Sequence, residues 1–404
     1  MKILFVVNTL GRAGAETALL ELLDSLQQKE YQISLYVMLG QGELADRLPK
    51  NVRLLNKHYT NCSVHTAKGR ILLAKTVLVN FFRNGRLLQK AGVFIKNMME
   101  MIKKRQIQTD KLCWSIVAQG AEIPDETYDL AVAYLEGASA YFTSASVKAA
   151  KKAAFLHIDY ARAGYTRAMD RGCYEAFDRI FAVSDEVRDR FLEMYPEYGD
   201  RLYVFHNLVN QKKIRMLAKE RGGFPEDFNG YRILTVGRLT RQKAYDLALR
   251  ALYLLKQEGL AVRWYVLGEG DQRSSLEKQR ASLKLKDDFV FCGAVENPYP
   301  YYRQCDLYVH ATRYEGKSIA IQEAQTLGCA ILASDCSGNR EQIEDGVDGR
   351  FCPLTPEGIA AGIRELLNEK ELRIRLGKAA AKRTMHDKQD LAQLLELLSP
   401  SVFL

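Results

Sequence analysis

Two glutamates, Glu315 and Glu323, stand eight residues apart in the stretch ATRYEGKSIAIQEAQTLGCAILASD, which runs from Ala311 to Asp335. Carboxylates accept hydrogen bonds from hydroxyl groups such as those of sugars. The turn Gly316-Lys317-Ser318 opens a helical segment between them, and free backbone N–H groups at a helix start attract phosphate or carboxylate groups. A site that offers both kinds of group suits a nucleotide sugar. Two solvated glutamates on a surface helix would give the same pattern.

The spacing around these residues predicts the elements that position them. The apolar period of a helix is carried by Ile319, Ile321, Ala324 and Leu327. Ser318 is the expected N-cap, and Gly328 is the expected end of the helix. A short apolar strand, Ala330 to Ala333, follows. The sequence therefore predicts a strand–loop–helix–strand unit.

The same stretch resembles glycosyltransferase family 4, whose retaining members carry a Glu-x7-Glu motif that Glu315 and Glu323 match, within a similar YEG…EA…G…S context. The resemblance implies an α/β fold of the GT-B class, with two Rossmann-like domains facing across a cleft, and a nucleotide-diphosphate sugar donor. It places Glu315 at the transferred sugar and Glu323 at the ribose. Lys317-Ser318 stands where much of the family has Phe-Gly or a similar pair, and it adds a positive charge.

Two cations follow a predicted strand, Arg232 to Val236. Arg238 and Lys243 lie in the loop before a helix, where they can neutralise a diphosphate leaving group. Solvated loop charges are the alternative. The segment resembles the family's Gly-Arg…Lys-Gly pattern, with Ala244 in place of the second glycine.

The first half of the chain opens with a strand, Lys2 to Val7, a loop, Asn8 to Gly14, and a helix from Ala15 to about Lys29. The loop lacks G-x-G-x-x-G, which weakens a dinucleotide interpretation. Its Ala-Gly-Ala-Glu segment resembles the family's Gly-Gly-Ala-Glu loop, which lies near the donor phosphates and the acceptor. An ordinary turn between strand and helix is the alternative.

Polar residues follow three further predicted strands, Asp129–Tyr134, Ala153–Leu156 and Arg179–Val183. They are Glu136, His157, Asp159 and Ser184. Ligands of open α/β sheets lie at the carboxyl ends of strands. A lone histidine at such a position is more often structural, but His157 resembles the family's histidine that contacts the donor sugar.

The resemblance thus implies three groups of site residues. The catalytic group is His157, Arg238, Lys243 and Glu315. The donor-binding group is Gly14, Gly237, Arg238, Lys243, Gly268, Gly293, Val295, Glu315, Gly316, Lys317, Ser318, Ile319 and Glu323. The acceptor side is formed by Gly11, Arg12, Asp159 and Tyr160.

A chain of 404 residues suggests two domains. We expect an N-terminal acceptor-binding domain over residues 1–208, a nucleotide-sugar-binding domain over 209–385, and a helix over 386–404 that returns to the first domain. The clearest linker-like composition is Arg221 to Gly230, slightly after the boundary that the family implies.

The positive charge of the chain, +9 overall, is concentrated in a basic helical insert over residues 43–111, which holds 15 Lys/Arg and 4 Asp/Glu. Helices are predicted at Ala67–Asn80 and Arg86–Gln106, and the second is amphipathic with a cationic flank. An anionic membrane surface or an anionic acceptor fits this block better than nucleic acid, for which no motif is present. Solvated lysines on a helix that packs on its own domain are the alternative.

Several classes of site are excluded or disfavoured. The eight cysteines form no C-x-x-C or Cys/His cluster, which predicts reduced thiols such as Cys292 and Cys329 in apolar runs and no zinc site. No Asp-x-Asp motif is present, so we expect no essential metal and no cofactor beyond the nucleotide-sugar co-substrate. No signal peptide or membrane span is predicted. The expected location is the cytoplasm, with peripheral attachment to the inner face of the membrane as an option.

The resulting prediction is a retaining glycosyltransferase. It moves a sugar from a nucleotide-diphosphate sugar, with UDP favoured, to a saccharide or lipid-linked acceptor in cell-surface polysaccharide synthesis. A nucleotide-sugar epimerase or phosphorylase on the same fold is an alternative, and so is a non-catalytic scaffold subunit of a transferase complex. A NAD-dependent dehydrogenase is disfavoured by the missing glycine fingerprint.

Overall fold

The computed structural model describes residues 1–27, 31–64, 66–83, 87–103, 109–160, 163–383 and 387–398. The chain divides into two compact units, Met1–Leu208 with His386–Leu404, and Val209–Met385. Each unit has its own β-sheet, and every strand pairing in the described part of the chain is parallel. The predicted α/β fold with two Rossmann-like domains is therefore confirmed.

The first domain is built on a seven-stranded sheet in the order β3-β2-β1-β4-β5-β6-β7. Its strands are β1 Lys2–Val7, β2 Gln32–Val37, β3 Val52–Leu54, β4 Tyr128–Ala133, β5 Ala149–Leu156, β6 Arg179–Ala182 and β7 Leu202–Val204. The inner strands read as nearly continuous apolar runs because helices cover both faces of a parallel sheet. In β1, for example, every residue from Ile3 to Val7 is buried.

The helices of the first domain connect these strands and cover the sheet. They are α1 Gly14–Ser25, α2 Ala67–Phe82, α3 Leu87–Lys103, α4 Thr109–Leu112, α5 Trp114–Gly120, α6 Ala138–Ser146, α7 Arg167–Asp170 and α8 Asp185–Met194. The basic insert forms α2 and α3 close to their predicted bounds. Arg86 and residues 104–106 of the predicted second helix lie outside the described residues, as do residues 28 and 29 of the predicted first helix.

The second domain has a six-stranded sheet in the order β10-β9-β8-β11-β12-β13. Its strands are β8 Tyr231–Val236, β9 Val262–Leu267, β10 Phe289–Gly293, β11 Leu307–His310, β12 Ile331–Ser334 and β13 Arg350–Cys352. Its helices are α9 Gln211–Leu217, α10 Tyr245–Gln257, α11 Arg273–Ser282, α12 Tyr299–Gln304, α13 Ile319–Thr326, α14 Ser337–Arg340, α15 Pro356–Asn368 and α16 Lys370–Ala380. The predicted strand–loop–helix–strand unit is β11–α13–β12, and α13 ends before Gly328, whose φ is +70°.

Two details differ from the sequence prediction. The stretch Arg221 to Gly230 is not a linker, because it lies inside the second unit and the Phe224 ring packs at a tilt against Tyr265 of the second sheet, with 4.4 Å between ring centroids. The eight cysteines are free, but Cys292 is only partly buried, whereas Cys329 is buried in the core.

The chain returns to the first domain in its last described helix, α17 Asp387–Leu395, which a 3₁₀ turn extends to Leu398. Leu394 and Leu398 join the apolar core on one face of the first sheet. The Asp390 carboxylate accepts a hydrogen bond from the backbone N–H of His206 at 3.2 Å. The predicted return of the C-terminal helix is confirmed.

Candidate functional site

The strand order of each sheet reverses direction beside its first strand. In the first sheet β1 lies between β2 and β4, and in the second sheet β8 lies between β9 and β11. Open α/β sheets bind ligands outside the carboxyl ends of the strands at such a reversal. The loops after β1, β4, β8 and β11 are therefore the places where topology alone predicts a site.

In the second domain, the loops after β8 and β11 bring together Lys243, His310 and Glu315. Lys243 Nζ donates to Glu315 Oε2, and the same oxygen lies 3.1 Å from His310 Nε2. The side chains of Lys243 and Glu315 are only 14% and 13% exposed, and that of His310 is 1% exposed. A buried carboxylate with two nitrogen partners is thus centred on the reversal of the strand order.

The hydrogen bonds of His310 show which of its two ring nitrogens carries the proton. Because a carboxylate only accepts, the 3.1 Å contact places the proton on His310 Nε2. Nδ1 then accepts from the Tyr308 hydroxyl, 3.1 Å away, and burial keeps that phenol protonated by raising its pKa. Burial and the nearby Lys243 ammonium lower the pKa of His310, so the imidazole stays neutral.

The charge on Glu315 results from opposing influences. Burial, the largest of them, raises the pKa of its carboxyl. The Lys243 ammonium and the hydrogen bond from His310 outweigh burial and lower the pKa to about 2. Glu315 is therefore an ionised acceptor in a largely dry environment, where its electrostatic interactions are stronger than in water.

The loop that carries Lys243 is tied to the loop after β11. The Arg313 guanidinium binds Asp246 at 3.0 and 2.8 Å and also donates to the carbonyl of Arg241. The hydroxyl of Thr312 donates to the carbonyl of Gln242 at 3.1 Å. These bonds explain why two segments about 70 residues apart in sequence present their charged side chains to each other.

Ala244, which follows Lys243, is fully buried and has φ +47° and ψ +32°. This left-handed conformation is costly for a residue with a Cβ atom and easy for glycine. The turn that presents Lys243 therefore has a backbone geometry that glycine would adopt more easily than alanine.

Gly237 and Arg238 begin the same loop. An added Cβ on Gly268 would lie 2.1 Å from the carbonyl oxygen of Gly237, so the two strand ends touch through their backbones. Arg238 is exposed, and its guanidinium makes no hydrogen bond or ion pair within the described part of the chain. It is therefore available to a ligand at the carboxyl end of β8.

Gly293 and Val295 lie beside these strand ends. Gly293 has φ +76°, and its carbonyl accepts from the backbone N–H of Gly268 at 2.8 Å. Val295 is partly buried against the core on the α13 side of the sheet. The predicted glycine turns after β9 and β10 therefore occur side by side.

The turn Gly316-Lys317-Ser318 leads into α13 as predicted. Ser318 occupies the predicted N-cap position with extended backbone angles, but its side chain makes no capping hydrogen bond. Lys317 and Ile319 are partly buried beside it. The backbone N–H groups at this helix start are not satisfied by the Ser318 hydroxyl.

Glu323 lies in α13 and is 8% exposed. The Tyr299 hydroxyl donates to its Oε1 at 3.1 Å and the Tyr302 hydroxyl to its Oε2 at 3.0 Å. Two tyrosines of α12 therefore orient the second glutamate of the motif, and sequence analysis did not identify them.

The first domain has its own cluster at the reversal of its strand order. The side chain of Asn8, after β1, donates to the carbonyl of Glu136 at 2.7 Å and accepts from the backbone N–H of Ser139 at 2.9 Å. Glu136 Oε1 accepts from the backbone N–H groups of His157 and Ile158. The Asn8 amide thus links the loops after β1 and β4, and the buried Glu136 carboxyl links the loops after β4 and β5.

The titration of this cluster is set by burial. Burial raises the pKa of Glu136 to about 7, although the backbone N–H donors oppose it. Burial lowers the pKa of His157 to about 3, and a hydrogen bond to the Tyr134 backbone opposes this change. The Nε2 atom of His157 is buried and has no hydrogen-bond partner among the described residues, so the neutral ring offers an acceptor there.

Of the residues predicted on the acceptor side, Arg12 is exposed just before α1, and Gly11 beside it is partly buried. Gly14, from the predicted donor-binding group, is the exposed first residue of α1. Asp159 has an Arg190 nitrogen 4.0 Å from its carboxylate.

The prediction that Tyr160 lies on the acceptor side was wrong. This residue is fully buried in an aromatic cluster, with the Tyr174 hydroxyl 3.3 Å from its own, and therefore cannot line an acceptor surface.

Two groups of residues at the site were missed or left unassigned. His310 is the last residue of β11, and the apolar run LYVH before the Glu315 loop was a usable signal. Asn8 and Glu136 flank the strand ends of the first domain, but their mutual contact depends on residues 128 positions apart. Among the described residues, no group of three or more His, Cys, Asp or Glu side chains is arranged to hold a metal ion.

A comparison with protein families finds a match in the second domain. Residues 218–383 match the model of the family "Glycosyl transferases group 1". This range includes Arg238, Lys243, His310, Glu315 and Glu323.

Two curated relatives match about half of the chain. One is the Campylobacter jejuni N-acetylgalactosamine-N,N'-diacetylbacillosaminyl-diphospho-undecaprenol 4-alpha-N-acetylgalactosaminyltransferase, 28% identical over 202 residues, which are 50% of this chain and 53% of that protein. The other is the amylovoran biosynthesis glycosyltransferase AmsK of Erwinia amylovora, 31% identical over 231 residues, which are 50% of this chain and 55% of that protein. The chain spans about half the length of the curated relatives that it matches.

Similarity to solved structures extends over nearly the whole chain. HepE of Anabaena, crystallised with UDP and glucose, has a TM-score of 0.68 at 17% identity, covering 98% of this chain and 99% of that one. Sucrose-phosphate synthase of Thermosynechococcus elongatus has a TM-score of 0.68 at 14% identity, covering 98% of both chains. The fold is therefore that of the GT-B class.

Proposed function

We propose that this protein is a retaining glycosyltransferase of family 4 that transfers a sugar from a nucleotide-diphosphate sugar to a saccharide or lipid-linked acceptor. The observation that carries the proposal is the Lys243–His310–Glu315 cluster at the reversal of the second sheet. It combines a cation, a neutral donor and an ionised acceptor within the region that matches the glycosyltransferase family model.

Lys243 and Arg238 are assigned to the diphosphate of the donor. An ammonium group has three N–H donors, of which Glu315 takes one, so Lys243 retains capacity for a phosphate oxygen. Arg238 is exposed and adds a fork of donors with a permanent charge. These two cations stabilise the charge that develops on the leaving diphosphate, and we therefore propose that no metal ion is essential.

Glu315 and Glu323 are assigned to hydroxyl groups of the donor. Glu315 is ionised and accepts hydrogen bonds from the transferred sugar, while His310 and Lys243 hold its carboxylate in place. Glu323, oriented by Tyr299 and Tyr302, accepts from the ribose. The backbone N–H groups after Gly316-Lys317-Ser318 face phosphate oxygens.

His157 is assigned to the donor sugar from the first domain. Its ring is neutral because burial lowers its pKa to about 3, and its Nε2 can accept a hydroxyl hydrogen bond. A neutral imidazole with so low a pKa is a positioning group rather than a general base at neutral pH. Glu136 fixes the backbone that carries His157.

Retention of configuration is proposed to occur on one face of the sugar. The acceptor oxygen forms the new bond to the anomeric carbon while the bond from that carbon to the diphosphate breaks. The acceptor proton passes to an oxygen of the leaving diphosphate, so no protein base is needed. The roles of Arg238 and Lys243 follow from this scheme, because the leaving group gains the negative charge.

The donor and acceptor classes are supported by the relatives. The Campylobacter jejuni protein is named for a diphospho-undecaprenol saccharide, the Erwinia amylovora protein for amylovoran biosynthesis, and HepE was crystallised with UDP and glucose. We therefore propose a UDP-sugar donor, a lipid-linked saccharide acceptor and a role in cell-surface polysaccharide synthesis. We also propose that it works at the cytoplasmic face of the membrane.

The test is a screen of UDP-, GDP- and ADP-sugars for nucleotide release with and without lipid-linked saccharides, followed by NMR of the product's anomeric centre. We expect a glycoside that keeps the configuration of the donor. Glu315→Gln should lower kcat by about 10²–10³-fold. Glu365→Gln, which removes another ion-paired glutamate of the second domain, is the matched control and should leave kcat unchanged.

Three outcomes would contradict the proposal. An inverted product would exclude the same-face scheme. Nucleotide release or sugar epimerisation without a new glycoside would favour an epimerase or phosphorylase. The absence of turnover with every donor and acceptor, or full activity of Glu315→Gln, would favour a scaffold role for the chain.

A further inference from the structure

Helices α2 and α3 of the first domain carry large apolar side chains that face solvent. Their exposed fractions are 70% for Ile71, 59% for Leu78, 61% for Phe82, 50% for Ile95, 63% for Met99 and 53% for Ile102. Single exposed apolar residues are normal, but a repeated set on consecutive helices marks an interaction surface.

The exposed residues of α2 share one side of the helix. With 3.6 residues per turn, Lys68, Ile71, Lys75, Leu78 and Phe82 fall within an arc of about 100°. On α3, the exposed residues Ile95, Lys96, Met99 and Ile102 also share one side. We call these two rows the exposed stripes of α2 and α3.

The opposite side of α2 is fixed by close packing. An added Cβ on Gly69 would lie 1.9 Å from the carbonyl oxygen of Ser63. The side chain of Asn80 is buried and donates to the carbonyl of Val117 in α5 at 3.3 Å. Because both ends of α2 are held in this way, its apolar stripe cannot rotate inward without breaking these contacts.

The charges beside the stripes all have one sign on α2. Lys68, Arg70 and Lys75 are exposed, and the helix Ala67–Phe82 contains no Asp or Glu. Lys96 lies in the stripe of α3. A row that alternates lysines with Ile, Leu, Met and Phe matches a surface that is apolar inside and anionic at its boundary.

We propose that the exposed stripes of α2 and α3 bind the first domain to the surface of an anionic lipid bilayer. The apolar side chains enter the boundary between headgroups and acyl chains, and the lysines contact the anionic headgroups. No helix in the described ranges is long and apolar enough to cross a bilayer. The proposal needs no sugar chemistry, and its test uses none.

The test is flotation of the whole protein with vesicles, without any sugar donor. Vesicles of phosphatidylcholine with about 30 mol% phosphatidylglycerol are compared with pure phosphatidylcholine at about 0.1 M salt. We expect binding to the anionic vesicles that weakens as salt is raised. Lys68→Gln/Lys75→Gln should weaken it about 25-fold, since each lysine near such a surface contributes about fivefold. Leu78→Ser/Phe82→Ser should weaken it at least about tenfold.

A matched control is available in the second domain. Ile374 and Lys378 of α16 are exposed and spaced four residues apart, as Ile71 and Lys75 are on α2. Ile374→Ser/Lys378→Gln should bind as the wild type does. All variants are first required to keep the wild-type urea midpoint, because they change only exposed side chains.

Several results would overturn the proposal. Equal binding to neutral vesicles, no binding to anionic vesicles, or an equal loss in the α16 control would each do so. Wild-type dimers in sedimentation experiments that Leu78→Ser/Phe82→Ser dissociates, without vesicle binding, would assign the stripes to a second copy of the chain instead. Retained glycosyltransferase activity in a variant that no longer floats would leave the proposed function intact.

Discussion

Replacing Lys243 with methionine should cost more stability at pH 8 than at pH 5. Methionine keeps an unbranched side chain of similar length but removes the cation that Glu315 binds. The carboxylate then remains ionised in a buried position at pH 8, with His310 as its only nitrogen partner in this cluster. Removing one partner of a buried ion pair costs about 3–5 kcal/mol in the free energy of unfolding.

The pH dependence follows from the titration of Glu315 and His310. In the wild type, the pKa of Glu315 is lowered from 4.5 to about 2, so its contribution of about 3 kcal/mol is complete above pH 4.5 and lost as the pH falls through 2. Without Lys243, burial dominates and raises the pKa of Glu315. The pKa of His310 also rises, because Lys243 no longer lowers it. Both changes favour proton uptake by the folded variant as the pH falls. The loss in its free energy of unfolding relative to the wild type should therefore be about 1–2 kcal/mol smaller at pH 5 than at pH 8.

The two tryptophans of the chain make this measurement specific to one domain. Trp114 lies in the first domain and Trp264 is buried in the second. In a two-domain chain, a single unfolding curve can mix the transitions of both domains. In a Trp114→Phe background, Trp264 is the remaining tryptophan, so urea unfolding followed by tryptophan fluorescence reports the second domain alone.

The control is Lys256→Met, which breaks the more exposed pair with Asp288. It should cost less than about 1 kcal/mol at both pH values. Lys243→Met/Glu315→Gln should recover most of the lost stability at pH 8, because no unpaired charge remains. A Lys243→Met deficit that is the same at pH 5 and pH 8, or larger at pH 5, would refute the assignment of Glu315 as a buried anion held by Lys243.

Three further predictions concern the remaining parts of the two domains. Tyr302→Phe removes a 3.0 Å hydrogen bond to Glu323 and should weaken UDP binding about tenfold in calorimetric titrations. Ala244→Gly relieves a left-handed backbone and should stabilise the second domain by about 0.5–1 kcal/mol in urea unfolding. In the wild type, the pKa of Glu136 is raised to about 7, so the free energy of unfolding falls as the pH rises through 7. Glu136→Gln removes this titrating carboxyl. The variant should gain about 3 kcal/mol over the wild type between pH 4.5 and pH 8, with Trp114 as the reporter of unfolding.

Each of these predictions has its own comparison. Tyr253→Phe changes an exposed tyrosine of the second domain and should leave UDP binding unchanged. Ala248→Gly, in the interior of α10, should destabilise the same domain by about 1 kcal/mol, opposite in sign to the change at Ala244. A Glu136→Gln variant whose stability follows pH as the wild type does would show that Glu136 does not titrate in this range.

The sequence was sufficient for features that local chemistry determines. Buried parallel strands are apolar runs, so β1, β8, β9 and β11 could be located from composition, and Gly328 marked the end of α13. The cations and glutamates of the motif were found because their spacing resembles a known family. The alternation of strands and helices then gave the α/β class.

The sequence could not show which distant groups meet. The partner of Glu315 is set by loops 72 residues apart, and the contact between Asn8 and Glu136 spans 128 residues. Tyr160 was misassigned because a tyrosine next to a candidate histidine looks equally suitable whether it is buried or exposed. The failure of the Ser318 hydroxyl to cap α13 is likewise a matter of side-chain orientation, which the N-cap preference alone does not determine.

The close approach of α14 to the Glu315 loop has a consequence for how this protein can diversify. An added Cβ on Gly338 would lie 2.2 Å from the carbonyl oxygen of Glu315 and 2.1 Å from that of Gly316. The backbone of the Glu315 loop is therefore in direct contact with the backbone of α14. Diversification is therefore restricted at Gly338 itself, because any larger residue there would displace the backbone that carries Glu315.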